Sequence, residues 1–437
     1  MHATKRFGIV AVSQFPMHYM LSMKSLYSPL ALVFNSSHEE LNPWHRLSGR
    51  VIYSILALHA IWYLNYFIQN GVLSIAFTRL NVIIGVTAFT GLTIISTTSL
   101  AFVRRWSYRV FFVLHLVIGI SILPLLFFHA THLRLYIVES LAIFIFDLVC
   151  RKLDTTTGFA TITTVPHTKL IKLKIPIPSS KLKRFRAAPG QHVYLSLPEE
   201  SLPPSVSAPS IHDLLFNPFT IADVSNKDIT LVLRALNGPT TQAIEYLAQL
   251  TKAKPPINIE GPLGSSKRFT NLAQQYDRIL LIAGGVGATY TLPIYNHLRE
   301  QLESEARSPD RLTFHWSMRS AAEAAWAVEP DVRSKIDEDE NLKIYLTGEH
   351  DTFVPEDGSV ELDEMTGREE ECVKATGGRD RPDIGGIVDA VFRKGGEERV
   401  AVLVCGPVGM AGEVRRHVGR WVGKGRDVWF HDEGFGW

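Results

Sequence analysis

The sequence predicts a bundle of membrane helices followed by two soluble domains, a small antiparallel β-barrel and then an α/β domain. Three observations predict it. No Asp, Glu, Lys or Arg occurs from Val51 to Thr78, from Leu80 to Val103, or from Val110 to Leu133. Each run reaches the roughly 20 residues that a helix needs to cross a bilayer. Beyond Arg151 the chain becomes an ordinary charged sequence, in which short β-like runs first alternate with Pro- and Gly-rich turns. From Asp277 the style changes again: a buried-strand run, Ile279–Ala283, leads into a glycine-rich turn and then an amphipathic helix to about Gln301.

The membrane part covers residues 1–151. Its first apolar stretch, Phe7–Phe34, is interrupted by Pro16, Lys24 and Pro29 and reads as another membrane helix followed by a loop. Two later helices each carry histidines fourteen residues apart, His45 with His59 and His115 with His129. Fourteen residues climb roughly 21 Å and complete close to four turns, so both members of a pair point from nearly one face. Two such helices side by side would hold two bis-histidine sites, one above the other. Imidazole is a common axial ligand of haem iron, and haem carries single electrons. The alternative is four membrane histidines hydrogen-bonded within a bundle, although ionisable groups at such depth are rare and usually functional. Arg46, Arg50, Arg104, Arg105, Arg109, Arg151 and Lys152 fall on one side if the helices alternate. The positive-inside rule makes that side cytoplasmic. His45 and His115 then lie near the cytoplasm, and everything after Arg151 is inside the cell.

Composition excludes some classes. A net charge of +2 without a basic stripe argues against a nucleic-acid binder. Cys150, Cys372 and Cys405 form no framework and no metal-ligand spacing, as expected of a soluble part in a reducing compartment.

The barrel is expected over 152–276, with strands such as Leu170–Ile175, His192–Leu197 and Ile229–Leu233. The α/β domain is expected over 277–437, with further strands at Leu312–Trp316, Leu342–Leu346 and Val400–Val404. Its acidic stretch near 349–378 reads as a surface insertion. In Gly284-Gly285-Val286-Gly287-Ala288-Thr289 the glycines let the backbone approach a pyrophosphate, which free N–H groups at the helix start would face. Alone such a turn is weak; here the strand and helix flank it. Cys405-Gly406-Pro407 ends a strand on the side where open α/β sheets bind ligands.

The assembled residues resemble the ferric-chelate reductases, membrane flavocytochromes related to NADPH oxidases. His45-Arg46-Leu47-Ser48-Gly49-Arg50 with His59, and Arg104-Arg105-Trp106-Ser107-Tyr108 leading to His115 and His129, look like the family's haem-binding helices. Asn217-Pro218-Phe219-Thr220 resembles its flavin motif, with asparagine in place of the usual histidine. Gly238 and Thr240 match a flavin-phosphate turn, and Gly261-Pro262-Leu263-Gly264 the turn that closes the barrel, with leucine for an aromatic. Gly284, Gly285, Gly287 and Thr289 correspond to the NADPH pyrophosphate loop, Val286 standing for a small polar residue. Trp316 with Arg319, and Cys405, Gly406 and Pro407, match the remaining nucleotide motifs.

The resemblance implies a ferredoxin-NADP reductase-like module behind a bundle that binds two b haems, with FAD and NADPH as further cofactors. It implies electron transfer from cytosolic NADPH to ferric or cupric chelates outside, at the plasma membrane, beside a metal permease. His45, His59, His115 and His129 are the expected iron ligands, and His132 is not. Phe219 and Thr220 would seat the isoalloxazine, Arg319 would meet the adenosine 2′-phosphate, and Cys405 and Gly406 would face the nicotinamide. Trp437, or Phe435 two residues earlier, would shield the flavin. Family members usually carry a further membrane helix upstream. Two competing classes are an NADPH oxidase yielding superoxide and a truncated, inactive paralogue.

Overall fold

The computed structural model describes residues 2–202, 216–236, 238–250, 254–264, 269, 271–327, 339–348, 375–394 and 396–434. They form two compact units that divide between Asp154 and Thr155.

The first unit is all helical: α1 (His2–Ser13), α2 (Phe15–Ser22), α3 (His38–Gln69), α4 (Leu80–Thr98), α5 (Tyr108–His129) and α6 (Arg134–Asp154). Helices α3, α4 and α5 are long and apolar enough to cross a membrane. Two of them, α3 and α5, begin at a serine cap. Ser37 and Glu40 form a reciprocal capping box at the start of α3, and the Ser107 hydroxyl accepts from Val110 N at the start of α5. A small core of Ala11, Val12, Phe15, Ile52, Leu56, Ala88, Ile122, Leu123, Leu126 and Ile137 joins all six helices. Large apolar side chains such as Ile61, Trp62, Ile68 and Phe128 remain exposed, as a lipid-facing surface requires.

The expected single helix from Phe7 is corrected. It is broken at Gln14, the N-cap of α2, and ends at Ser22. Pro16 lies in the first turn of α2, where its missing N–H costs nothing, whereas inside a continuous helix its ring would clash with the carbonyl of residue 12. The turn after α2 is fastened to α6. Asp147, 8% exposed, accepts from the backbone N–H groups of Lys24 at 3.1 Å and Ser25 at 2.9 Å.

The second unit opens with seven antiparallel strands: β1 (Thr156–Phe159), β2 (Thr161–Thr164), β3 (Leu170–Pro176), β4 (His192–Ser196), β5 (Asn217–Val224), β6 (Asp228–Arg234) and β7 (Pro256–Leu263). Their order is β1-β7-β4-β5-β6-β3-β2, so the two edge strands are consecutive in the chain and the sheet curls upon itself. Gly158 marks the closure: a Cβ there would stand 2.7 Å from the Pro176 carbonyl oxygen. Alternating inward residues, among them Leu173, Ile175, Val193, Leu195, Leu231 and Ile259, fill the interior. Helices α7 (Ser179–Arg186) and α8 (Pro239–Gln249) belong to this half.

Five parallel strands follow, in the order β10-β9-β8-β11-β12: β8 (Arg278–Gly284), β9 (Leu312–Met318), β10 (Leu342–Leu346), β11 (Val400–Cys405) and β12 (Val428–Glu433). Helices α9 (Ala288–Ser304), α10 (Ile384–Arg393) and α11 (Val408–Val422) cover the two faces. The first strand, β8, is central, and the chain goes to one side for β9 and later to the other for β11. That reversal opens a crevice at the carboxyl ends of β8 and β11. Most of the acidic stretch, 349–374, lies outside the described residues, as do Cys372, Phe435 and Trp437.

Replacing Asp147 by leucine should orphan two backbone donors at a buried site, at about 1–3 kcal/mol for an unsatisfied group. Thermal unfolding in detergent should show this loss for Asp147→Leu and little change for Asp147→Asn, which keeps an acceptor. Equal stability of all three proteins would deny the carboxylate its fastening role.

Candidate functional site: paired imidazoles and glycine-lined turns

The four predicted histidines fall into two tiers on α3 and α5. His45 and His115 have ring centroids 6.1 Å apart. Two imidazoles on opposite sides of one metal, each bonded at about 2 Å, have a similar separation. Hydrogen bonding then decides which nitrogen of each ring is free. His45 Nδ1 lies 3.1 Å from the His18 carbonyl oxygen, His59 Nδ1 2.7 Å from that of Thr4, and His129 Nδ1 2.8 Å from that of Asn81. A carbonyl only accepts, so each Nδ1 carries the proton and each Nε2 keeps its lone pair. This is how ligating histidines are oriented in metal sites. His115 Nδ1 stands 3.4 Å from the Ser99 hydroxyl. His132 lies beyond α5 in a short 3₁₀ turn, exposed.

The outer tier uses one device twice. Gly8 lies four residues after Thr4, and Gly85 four residues after Asn81. A Cβ on Gly8 would be 2.9 Å from His59 Cε1, and one on Gly85 2.6 Å from His129 Cε1. Each ring therefore packs closely on a glycine and shares the carbonyl one turn earlier. Charge runs and spacing mark the histidines but not these glycines, which carry meaning only once the helices are side by side.

In the barrel, Asn217, Pro218, Phe219 and Thr220 begin β5, half-buried and paired with β4; Thr220 stands opposite His192. Asn217 Nδ2 donates to Thr240 Oγ1 at 2.7 Å. The asparagine thus ties the start of β5 to the first turn of α8, whose N-cap is Gly238. Free N–H groups at that helix start suit an anion. Arg184 donates to the Gly261 carbonyl at 2.7 Å, fixing the turn that runs to Gly264. Gly264 in turn packs on the His192 ring, a Cβ there falling 3.3 Å from Nδ1.

In the α/β half the two predicted loops meet backbone to backbone. A Cβ on Gly287 would stand 2.2 Å from the Cys405 carbonyl oxygen, and one on Gly284 2.6 Å from Pro407 Cδ. Gly406 packs on Gly284 in the same way, at 3.0 Å from its nitrogen. Gly285, at φ +54°, holds the left-handed turn between them, and the buried Trp316 donates to its carbonyl at 3.1 Å. The Thr289 hydroxyl is spent on the Val286 carbonyl at 2.9 Å and is buried, so it braces the turn rather than facing a ligand. Arg319 follows β9 with an exposed side chain, while its backbone is held by Glu323 and Gly348. Cys405 is fully buried; burial first, then the carboxylates of Glu433 and Asp432, push its thiol well above the ordinary range. It stays protonated at neutral pH and is no thiolate nucleophile.

The comparisons divide the chain along the same sequence. Residues 7–126 match the family described as ferric reductase like transmembrane component, 156–267 an FAD-binding domain, and 276–419 the ferric reductase NAD binding domain. The chain thus carries a ferric reductase transmembrane domain and a ferric reductase NAD binding domain, with an FAD-binding domain between them. It is 27% identical to ferric reductase transmembrane component 1 of Schizosaccharomyces pombe, over 72% of this chain and 60% of that protein. It is 24% identical to ferric/cupric reductase transmembrane component 2 of the same yeast, over 98% and 80% respectively. Against the first, then, this chain spans under two thirds of the relative's length. Among solved structures it is similar to the ferredoxin reductase in carbazole 1,9a-dioxygenase, with 15% identity, a TM-score of 0.38, and 63% and 68% of the two chains covered.

Two further polar groups leave no mark in the sequence. Arg234, at the end of β6, pairs with Glu323 at 3.0 Å beside Gly285, so a guanidinium from the barrel borders the pyrophosphate-type turn. Behind Cys405, the Tyr290 hydroxyl and Glu433 both meet His431 Nε2, at 3.2 and 3.0 Å. Neither group has a local motif: the first joins β6 to the turn at Ala321–Ala324, and the second joins α9 to β12.

Substituting Gly8 or Gly85 by alanine should drive a methyl into an imidazole and cost about 1–3 kcal/mol, the usual range for overpacking. Gly119→Ala is the control, since nothing stands within 4 Å of a Cβ there. Thermal unfolding of the three variants should separate the first two from the third; a common small effect would mean the rings are not seated on these glycines.

Proposed function

We propose that the chain moves electrons from NADPH, through FAD and two b-type haems, across a membrane to ferric or cupric chelates. The observation that carries this reading is the two-tier set of imidazoles, three of them with Nδ1 committed to a carbonyl and Nε2 left for iron. The names of the relatives favour a metal chelate as acceptor. A flavin accepts a hydride's electron pair and releases electrons singly, and bis-imidazole haem iron carries one at a time.

The chain's own residues take defined parts. His45 with His115, and His59 with His129, would hold iron between α3 and α5. The start of α8 at Gly238 and Thr240, with Asn217 bracing it, would hold the flavin phosphates, and Phe219 and Thr220 would seat the ring system. Gly284, Gly285 and Gly287 would let backbone N–H groups approach the nucleotide pyrophosphate. Gly406 and Pro407 shape the far wall of that crevice, and the protonated Cys405 thiol lies beneath it. Arg319 is free to reach the 2′-phosphate that distinguishes NADPH from NADH. Trp437, or Phe435 two residues earlier, would shield the flavin. The basic residues between helices put the soluble unit in the cytosol, and the plasma membrane is the proposed site.

Sealed inside-out vesicles carrying the protein test the reading. NADPH in the medium should reduce a ferric chelate trapped in the lumen faster than superoxide forms. Superoxide in excess would reassign the chain to the oxidases, and a purified protein without b-type absorbance would leave an inactive paralogue.

Arg319→Ala should raise the KM for NADPH by about ten- to a hundredfold, at roughly 1.4 kcal/mol per decade, and barely alter that for NADH. Steady-state kinetics with both nucleotides would check this, and an equal loss with each would make the arginine a structural residue.

A further inference from the structure

A third imidazole stands at the inner tier. His18, on α2, stacks on His45 with ring centroids 4.0 Å apart and planes 16° from parallel. The hydrogen bonds around it close a loop. His45 Nδ1 donates to the His18 carbonyl at 3.1 Å. The Ser48 hydroxyl donates to the His45 carbonyl at 3.1 Å, which leaves its oxygen to accept from His18 Nδ1 at 2.7 Å. Each histidine thus gives its Nδ1 proton toward the other's backbone, one directly and one through Ser48. Gly49 makes the room, since a Cβ there would lie 3.1 Å from His18 Cε1.

A stacked ring and a closed hydrogen-bond loop fix two different freedoms of His45. The Nδ1–H bond to a carbonyl sets the tautomer and aims Nε2. The parallel ring of His18 blocks rotation about the Cβ–Cγ bond, which the carbonyl bond alone leaves loose. Among the described residues the other three histidines of the two tiers have no stacked ring partner: His115 meets Phe111 at a tilt and His59 meets Tyr63 edge-on. We propose that His18 is a positioning residue of the inner centre, acting with Ser48 to lock the His45 imidazole plane without itself binding iron. The inference rests on the haem reading above.

The test uses full-length protein in which one centre is left at a time. In a His129→Ala background only the inner haem remains, and in a His115→Ala background only the outer. The backgrounds themselves test the haem reading: if wild type and both backgrounds carry no b-type haem, that reading falls and takes this one with it. Given haem, His18→Ala should leave the inner centre six-coordinate and low-spin. Its electron-paramagnetic-resonance signal and midpoint potential should shift, and transfer of its haem to an acceptor protein should quicken by about 10- to 100-fold, the usual cost of losing an outer-shell partner. Ser48→Ala should move the same readouts in the same direction, and the outer centre should not respond to either change. Unaltered spectra, potential and haem loss in His18→Ala would overturn the proposal. So would complete absence of the inner haem, which would make His18 a ligand or a folding residue, and so would an equal effect on the outer centre.

Discussion

A histidine inside a bilayer has two nitrogens to satisfy and almost no water with which to do so. The helical unit solves this for His45, His59 and His129 by giving the Nδ1 proton to a backbone carbonyl of a neighbouring helix. Most of its architecture follows from where such a carbonyl can be reached. Intrahelical bonding already occupies the carbonyls of a regular helix, so an imidazole must share one from the side. It can come close enough only where no side chain intervenes. Thr4 with Gly8 and Asn81 with Gly85 meet both conditions, placing α1 and α4 against the outer histidines of α3 and α5. The packing of these helices is thus set by polar bonding and by missing side chains more than by interlocking apolar ridges, in keeping with what lipid leaves available as a driving force.

This explains how much could be read beforehand. Membrane crossing was legible because charge-free runs of more than twenty residues have few other uses, and the histidine tiers because helical periodicity is rigid. The strands of the soluble unit were legible too. Leu342–Leu346 has the expected bounds, and Leu170, His192, Leu312 and Val400 each begin a strand as expected. What was not legible depends on a second element arriving from elsewhere. Gly8 and Gly85 look like ordinary small residues until a ring lies on them. His18 sits in a segment whose spacing matches neither pair, and it gains meaning only from Ser48, thirty residues away. The break at Gln14 was half legible: Pro16 announced an interruption, but whether the helix bends, stops or restarts depends on which carbonyl must be relieved.

Glycine serves a different end in the soluble unit. There the crevice at the ends of β8 and β11 is built by two turns in backbone contact, and Gly284, Gly287 and Gly406 are required by that contact as well as by any phosphate. A glycine motif read from sequence therefore mixes two demands, access for a ligand and closeness of the neighbouring loop. The geometry separates them. Gly287 is filled by the Cys405 carbonyl, whereas Gly285 is required by its positive φ, a Cβ there meeting only the ends of the Arg234 and Glu323 side chains at 3.6 and 3.8 Å. The asparagine that departs from the flavin motif also acquires a reason. It cannot supply a cation, but its amide donates to Thr240 and so orders the helix start on which an anion would rest.

The two tiers also differ in how they are tied to the rest of the chain. The outer rings lean on the first turns of α1 and α4, near helix ends, where the backbone is least constrained. The inner ring is gripped by α2, and α2 is fastened through Lys24 and Ser25 to Asp147 of α6. Helix α6 runs on to Asp154, and the first strand of the soluble unit begins two residues later. Within the helical unit a continuous set of bonds therefore leads from α6 to His45: a buried carboxylate, a two-residue turn, and the His18–Ser48 clasp. An electron carrier works best when its ligands do not reorganise as charge arrives and leaves. His45 is the imidazole with the greater number of independent restraints, and the outer tier keeps the simpler attachment of one carbonyl and one glycine for each ring.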